Sequence, residues 1–259
     1  MTKRERILSA ARRGPVDRPP VSFWRHAPDV DHTAPGLAEA MLAFQRRWDL
    51  DFVKVMSSGV YCVEDWGCRV AYQGTPNGAK QCTEHGVRSR AEWARVKPLD
   101  VGAGALGREI EAVRLIARGR ADDAPILHTL FSPVTVARKL AGDRLVEDLR
   151  AEPGAVEPAL DAITDTMARH ARAALEAGAD GLFFATQAAT STSIRPRRCR
   201  YTRSTGTIAG PRPASARGSG APPERWWGAS ARARPCSPDH RTRSPPRSGR
   251  RSRRPAAAG

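Results

Sequence analysis

Beyond Thr190 the chain has no leucine, valine, phenylalanine, methionine or lysine, and Ile194 and Ile208 are its last large aliphatic residues. A segment of that composition cannot bury enough apolar surface to offset the entropy of ordering it, so residues 191–259 are expected to be disordered. Acid is nearly absent there too: seventeen arginines face only Glu224 and Asp239. The net charge of +16 over 259 residues is therefore almost all in this segment, and residues 1–190 carry a net +1. A basic patch spread over a folded domain is thereby excluded for the first 190 residues. The five cysteines, Cys62, Cys68, Cys82, Cys199 and Cys236, are odd in number and form no paired framework. With no signal-peptide core and no apolar run long enough to span a bilayer, the expected compartment is a reducing cytoplasm, without membrane association.

Residues 1–190 are rich in what the remainder lacks. "TKRERILSAARRG" predicts a helix capped by Thr2, with Ile7, Leu8 and Ala11 on one face and Gly14-Pro15 as its stop. "DRPPVSFW" then predicts a short strand over Val21–Trp24. "GLAEAMLAFQRRWDL" returns to helical period, and "DFVKVM" is a compact run suited to a buried strand. Residues 57–104 are less regular, with Asn77-Gly78 marking a turn. "GALGREIEAVRLIARG" predicts a helix, "APILHTLF" a strand, and "SPVTVARKLAGD" a helix capped by Ser132 with Pro133 at its first position. A long helix over Val156, Leu160, Ile163 and Met167 ends at Gly178, and "GLFFAT" is the next strand. Strands of buried type separated by helices predict an α/β fold with a parallel sheet. Four strand candidates make about four βα units, half of what an eight-stranded barrel needs.

Three of these stretches, in order, resemble the uroporphyrinogen decarboxylase superfamily. "ERILSAARRGPVDRPPVSFWRH" is similar to its opening helix, "P-x-D-R-x-P-V" turn and strand ending on Arg. "HTLFSPVTVARKLAG" resembles its "G-F-x-G-A-P-W-T" segment, and "EAGADGLFFATQAAT" its "G-A-D-x-x-x-x-F-D-S-x-A" strand. The resemblance implies a partial (β/α)₈ TIM barrel over residues 1–190, with the site at the C-terminal ends of the strands. It implies a decarboxylase without cofactor, which removes acetate arms from a tetrapyrrole in porphyrin and heme biosynthesis, and an anionic, porphyrinogen-like substrate. Arg25 matches the family's first-loop arginine, which holds substrate carboxylates by bidentate contacts. The family continues "R-Q-A-G-R" where this chain reads "R-H-A-P-D", so the second arginine is missing and His26 replaces Gln. Thr186 matches a substrate-contacting Ser and keeps the hydroxyl. Ser58 stands where the family's "F-S-D-I-L" carries its anchoring Asp, and a neutral hydroxyl cannot replace an anion there. The superfamily also includes cobamide-dependent methyltransferases, which use a corrinoid and bind zinc through His and Cys in the barrel's second half. That is the alternative function.

Other candidates read more plainly. Cys62, Cys68, Cys82 and His85 include no C-x₂-C pair, so no metal site is expected from them. His128, inside an apolar strand, reads as a core or pocket-lining group, and Glu64 and Asp65 as solvated loop charges. For residues 191–259 two readings compete. Arg/Ser/Pro-rich sequence with Trp226-Trp227 can bind RNA through phosphates and stacking. Alternatively it is translated out of frame, because GC-rich codons in the wrong register yield chiefly Arg, Pro, Ala, Gly and Ser. The second is preferred and nucleic acid is not expected as a partner. The chain as it stands is then expected to be truncated and inactive. An intact parent leaves room for a homodimer.

Overall fold

The computed structural model describes residues 1–187 and the backbone of residues 208–209. Residues 1–219 form one compact unit and 220–259 a second, and the second lies entirely outside the described residues. So does nearly all of the segment expected to be disordered.

Helix α1 (Lys3–Ala11) begins with a capping box: Thr2 accepts from the Glu5 amide and Glu5 reaches back to the Thr2 amide. The buried side chain of α1 is Arg6, while Leu8 is exposed, so the apolar face expected there is not what docks this helix. Charge does so instead. Arg4 and Arg120 bind Asp180, whose carboxylate also accepts from the Ile126 amide. Lys3 pairs with Asp49 and Asp122. These contacts fix α1 beside the N-terminal ends of two strands, and the opposite ends are left for a site.

Helix α2 (Ala34–Trp48) leads into β1 (Val53–Val55). A single turn, α3 (Tyr61–Glu64), and an antiparallel hairpin of β2 (Arg69–Tyr72) and β3 (Lys80–Glu84) follow, with the turn at Gly78 as Asn77-Gly78 predicts. A 3₁₀ helix (Arg90–Arg95) and α4 (Gly104–Gly119) return the chain to β4 (Ile126–Phe131). Then come α5 (Pro133–Ala141), α6 (Arg144–Ala151), α7 (Pro153–Glu176) and β5 (Gly181–Ala185). The sheet order is β1-β4-β5-β6, where β6 is Ile208–Ala209. β1, β4 and β5 are parallel neighbours, as successive βα units require, whereas β6 pairs antiparallel with Leu182 and Phe183.

One strand expectation needs correction. Val21–Trp24 runs alongside β1 but is not a ladder strand. One backbone bond joins them, Asp51 N–H to Val21 O at 3.0 Å. The other contacts come from side chains: the Asp51 carboxylate accepts from the Val21 amide, and Ser22 Oγ donates to Phe52 O.

Register divides the strand residues between two faces. Val53, Val55, Ile126 and His128 share one, and Lys54, Leu127, Thr129 and Phe183 the other. Against the first, α2 and α4 contribute Leu37, Met41, Ile110, Val113 and Ile116 to one core cluster. A second cluster joins Tyr61, Trp93, Leu106, Leu130, Leu140, Ile163 and Met167. Among the described residues no helix is long and apolar enough to cross a membrane.

Candidate functional site

The C-terminal ends of β1, β4 and β5 run into Met56–Gly59, Ser132 and Thr186–Gln187. The loop after β1 is fully buried through Ser58 and is held from two sides. From the N-terminal segment, His26 Nδ1 lies 2.9 Å from Ser57 O. A carbonyl oxygen can only accept, so Nδ1 carries the proton and Nε2 keeps its lone pair. No described residue engages Nε2. Burial, opposed by the Ser57 hydrogen bond and by Asp31, lowers the His26 pKa, with Lys54 and Lys139 adding to the decrease. This imidazole is therefore neutral near pH 7. A Cβ on Gly59, whose φ is +80°, would come within 3.4 Å of the ring, so the loop closes directly over it.

From the helix side, Ser57 Oγ donates to Glu109 Oε2. Glu109 is fully buried, and burial pushes its pKa up to about 7 against the opposing effects of Ser57 and Arg108. Its Oε1 has no hydrogen-bond partner; nor does Asp31 Oδ2, although Lys80 holds the other oxygen of Asp31. Arg108 binds Glu64 at 2.8 Å. Asp65 caps α4 from outside the helix, accepting from the amides of Ala105 and Leu106 at 2.9 and 3.0 Å. Glu64, half-buried on Arg108, is not the solvated loop charge that the sequence predicts, whereas Asp65 is exposed as expected while it also caps α4.

The four residues singled out from the sequence end in different surroundings. His26 and Ser58 are buried in neighbouring loops, Ser58 accepting weakly from the Val60 amide at 3.4 Å. Arg25 is exposed and makes no ion pair or hydrogen bond with a described residue. Thr186 is exposed where β5 ends, and it is the next amide, Gln187, that reaches α5 by donating to Thr135 Oγ1. Sequence reasoning missed Lys54, Ser57 and Glu109. Lys54 could have been found as the one cation inside the buried run "DFVKVM", and Glu109 because it shares a helical face with Ala105, Ala112 and Ile116.

The donors for a zinc ion do not fit among the described residues. No group of three or more His, Cys, Asp or Glu side chains converges there. Burial pushes the Cys62 and Cys68 thiols up to about 12, where a zinc ligand must be a thiolate. Cys82 Sγ donates to Glu84 O, and His85 Nδ1 sits on Lys139 O. A cavity of about 210 Å³, lined by Asp65, Trp66, Arg95, Lys97 and Leu99 among others, takes none of its walls from the strand ends.

Comparison with known proteins gives a consistent relationship. The family model described as uroporphyrinogen decarboxylase (URO-D) matches residues 2–200. Two curated relatives are each called "Methylcobamide:CoM methyltransferase MtbA". The Methanosarcina mazei protein is 23% identical over 195 residues, covering 69% of this chain and 56% of its own length. The Methanosarcina acetivorans protein is 24% identical over 192 residues, with the same coverage. The chain thus spans about half the length of the curated relatives it matches. A solved structure, "methyltransferase from Methanosarcina mazei", superposes with a TM-score of 0.57 at 24% identity, over 73% of this chain and 60% of its own. The fold is accordingly the α/β, TIM-barrel type expected. All three of these proteins are named as methyltransferases and none as a decarboxylase, so the decarboxylation and porphyrin role that the resemblance first implied gains no support from them.

Proposed function

The chain belongs to the uroporphyrinogen decarboxylase family, and from that premise we propose that it is a methyltransferase-type member, which moves a methyl group from a methylated corrinoid to a thiol. The observation that carries this reading is Ser58. Where the decarboxylases have an anchoring carboxylate, this chain has a neutral hydroxyl that is 1% exposed and turned onto its own loop. A pyrrole N–H cluster finds no anion there. The missing second arginine beside Arg25 weakens the grip on a polycarboxylate in the same direction. The names of both curated relatives agree with methyl transfer.

In such a transfer the methyl group goes to sulfur, the cobalt–carbon electron pair stays on the corrinoid, and the thiol's proton must leave. His26 is the described group suited to accept that proton. Its tautomer is fixed by Ser57 O, its Nε2 lone pair is free of described partners, and burial keeps it neutral. Zinc would activate the thiol in the relatives' chemistry as the resemblance implies it, and no step here is assigned to it.

The test is anaerobic incubation of methylcobalamin with CoM and with other thiols, following loss of methylcobalamin absorbance and thioether formation by mass spectrometry, with uroporphyrinogen offered in parallel. It is run on the 259-residue chain and on the product of the resequenced gene. Thioether formation is expected from the latter, slowed about 10²-fold in His26→Gln. Release of CO₂ from uroporphyrinogen with no thioether would overturn the reading.

A further inference from the structure

Lys54 is a buried charge with no anionic partner among the described residues. It lies mid-strand in β1 and is 6% exposed, on the sheet face that carries Leu127, Thr129 and Phe183. Its Nζ sits 3.6 Å from the centroid of the Trp24 ring and 4.0 Å from that of Phe183. Met56 Sδ, at 3.3 Å, is the polar atom it reaches. No carboxylate and no oxygen acceptor is its partner among the described residues. Two π faces and a thioether stabilise a cation only in part, and burying an ammionium without an anion is costly. Burial lowers its pKa to about 8, so it remains mostly protonated at pH 7.

That leaves a charge with unused donors just below the strand ends, where a barrel of this kind binds its substrate. Its surroundings belong to the same mouth. Trp24 directly precedes Arg25 and His26, and Lys54 is close enough to His26 to affect its titration. Arg25, the cation the family pattern points to, is exposed, so solvent and salt screen it. A desolvated ammonium discriminates charge far more strongly, because its field is little screened.

We propose that Lys54, rather than Arg25, is the residue that selects the charge of the substrate, by holding a compact oxyanion (a carboxylate, sulfonate or phosphate) on the ammonium donors that the Trp24 and Phe183 faces leave free. The inference rests on the family's placement of its site at the strand ends and does not depend on methyl transfer, so the two can fail separately.

The experiment uses the full chain and two probes of nearly equal shape, methanesulfonate and the uncharged dimethyl sulfone, at ionic strength balanced with sodium chloride. Binding is read from Trp24 emission, with Trp24→Phe as the blank, and from the rise in Tm that a ligand of the native state produces. Methanesulfonate is expected to change both and dimethyl sulfone neither. Lys54→Met is expected to weaken methanesulfonate binding at least about tenfold, Lys54→Arg to retain most of it, and Arg25→Gln to leave it within about twofold. The proposal is overturned if the wild-type chain gives no response to methanesulfonate, if dimethyl sulfone acts equally, or if Arg25→Gln is the variant that loses binding. Should Lys54→Met fail to fold, the wild-type comparison of the two probes and the Lys54→Arg and Arg25→Gln variants still decide it.

Discussion

His128 and His170 face each other across the interface of β4 and α7, Nε2 to Nε2 at 3.0 Å, and neither Nδ1 has a partner. One Nε2 donates and the other accepts, which requires the accepting ring to be neutral. Burial holds both pKa values down, His170 at about 4, and the neighbouring ring adds to the shift at His128. In the unfolded chain both titrate near 6.5, so below that pH the unfolded state binds more protons and stability falls until the folded pair also protonates. His128→Leu/His170→Leu should flatten this loss, of which His170 alone accounts for on the order of 3 kcal/mol between pH 6.5 and about 4. Urea midpoints at intervals across that window check it, and an unchanged slope refutes it. Glu109 has the opposite sign. Its folded pKa of about 7 exceeds its ordinary value of 4.5, so stability is present at low pH and lost as pH rises through that interval. Glu109→Gln, which cannot ionise, should be more stable than the parent at pH 8 and indistinguishable at pH 4, again by urea midpoints. His128 was legible in sequence as a core histidine inside an apolar strand. Its partner was not, because His170 lies 42 residues away on another element and only packing brings them together.

The N-terminal segment shows where element prediction from pattern stops. "VSFW" has strand composition, yet it does not form a ladder with β1, because side chains occupy the positions where backbone bonds would be. Asp51 is the centre of that arrangement. Its carboxylate, with a side chain 1% exposed, accepts from Arg6 at 2.7 Å, from Arg18 at 2.6 and 2.9 Å, and from the Val21 amide at 2.7 Å. Burial opposes its ionisation, but these donors outweigh burial and the pKa is lowered. Helix α1, the Pro19-Pro20 turn and the segment leading to Arg25 and His26 are therefore all tied to one carboxylate. Asp51→Ala would leave the buried Arg6 guanidinium with Asp17 as its one carboxylate partner, beside the Met1 carbonyl, and free the segment that carries His26, at a cost of about 3–5 kcal/mol. A lowered Tm together with new tryptic cleavage at Arg13 and Arg25 is the expected result. Unchanged cleavage would show that the segment is held by other means. The regular helices were legible because their apolar periods and caps are local. The Asp51 clamp was not, since it joins residues up to 45 positions apart.

At the scale of the molecule, the described strands supply part of a barrel: three parallel neighbours, one extended segment alongside them, and a short antiparallel pairing at the far edge. A parallel sheet is stable when both faces are covered, and β1 has β4 as its one ladder neighbour among the described residues. Val21, Phe23 and Trp24, beside that edge, are 52%, 42% and 46% exposed. The curated relatives are longer, and this chain covers 56% of each. Family likeness extends to residue 200, near the change of composition placed at Thr190. A coding frame that shifts close to Thr190 accounts for these observations together. It would replace apolar strand and helix sequence with arginine, proline, serine and glycine, and would leave no lysine, since GC-rich codons seldom specify it. Resequencing the gene around the Thr190 codon should reveal a single insertion or deletion whose correction restores alternating strand and helix patterns downstream. The corrected product should melt cooperatively and at higher temperature than the 259-residue chain, because the edge of β1 and the rings beside it gain cover. An unaltered reading frame would overturn the frameshift, and salt-sensitive RNA binding by residues 191–259 alone would then favour a true basic segment, with an affinity that falls steeply between low and moderate salt.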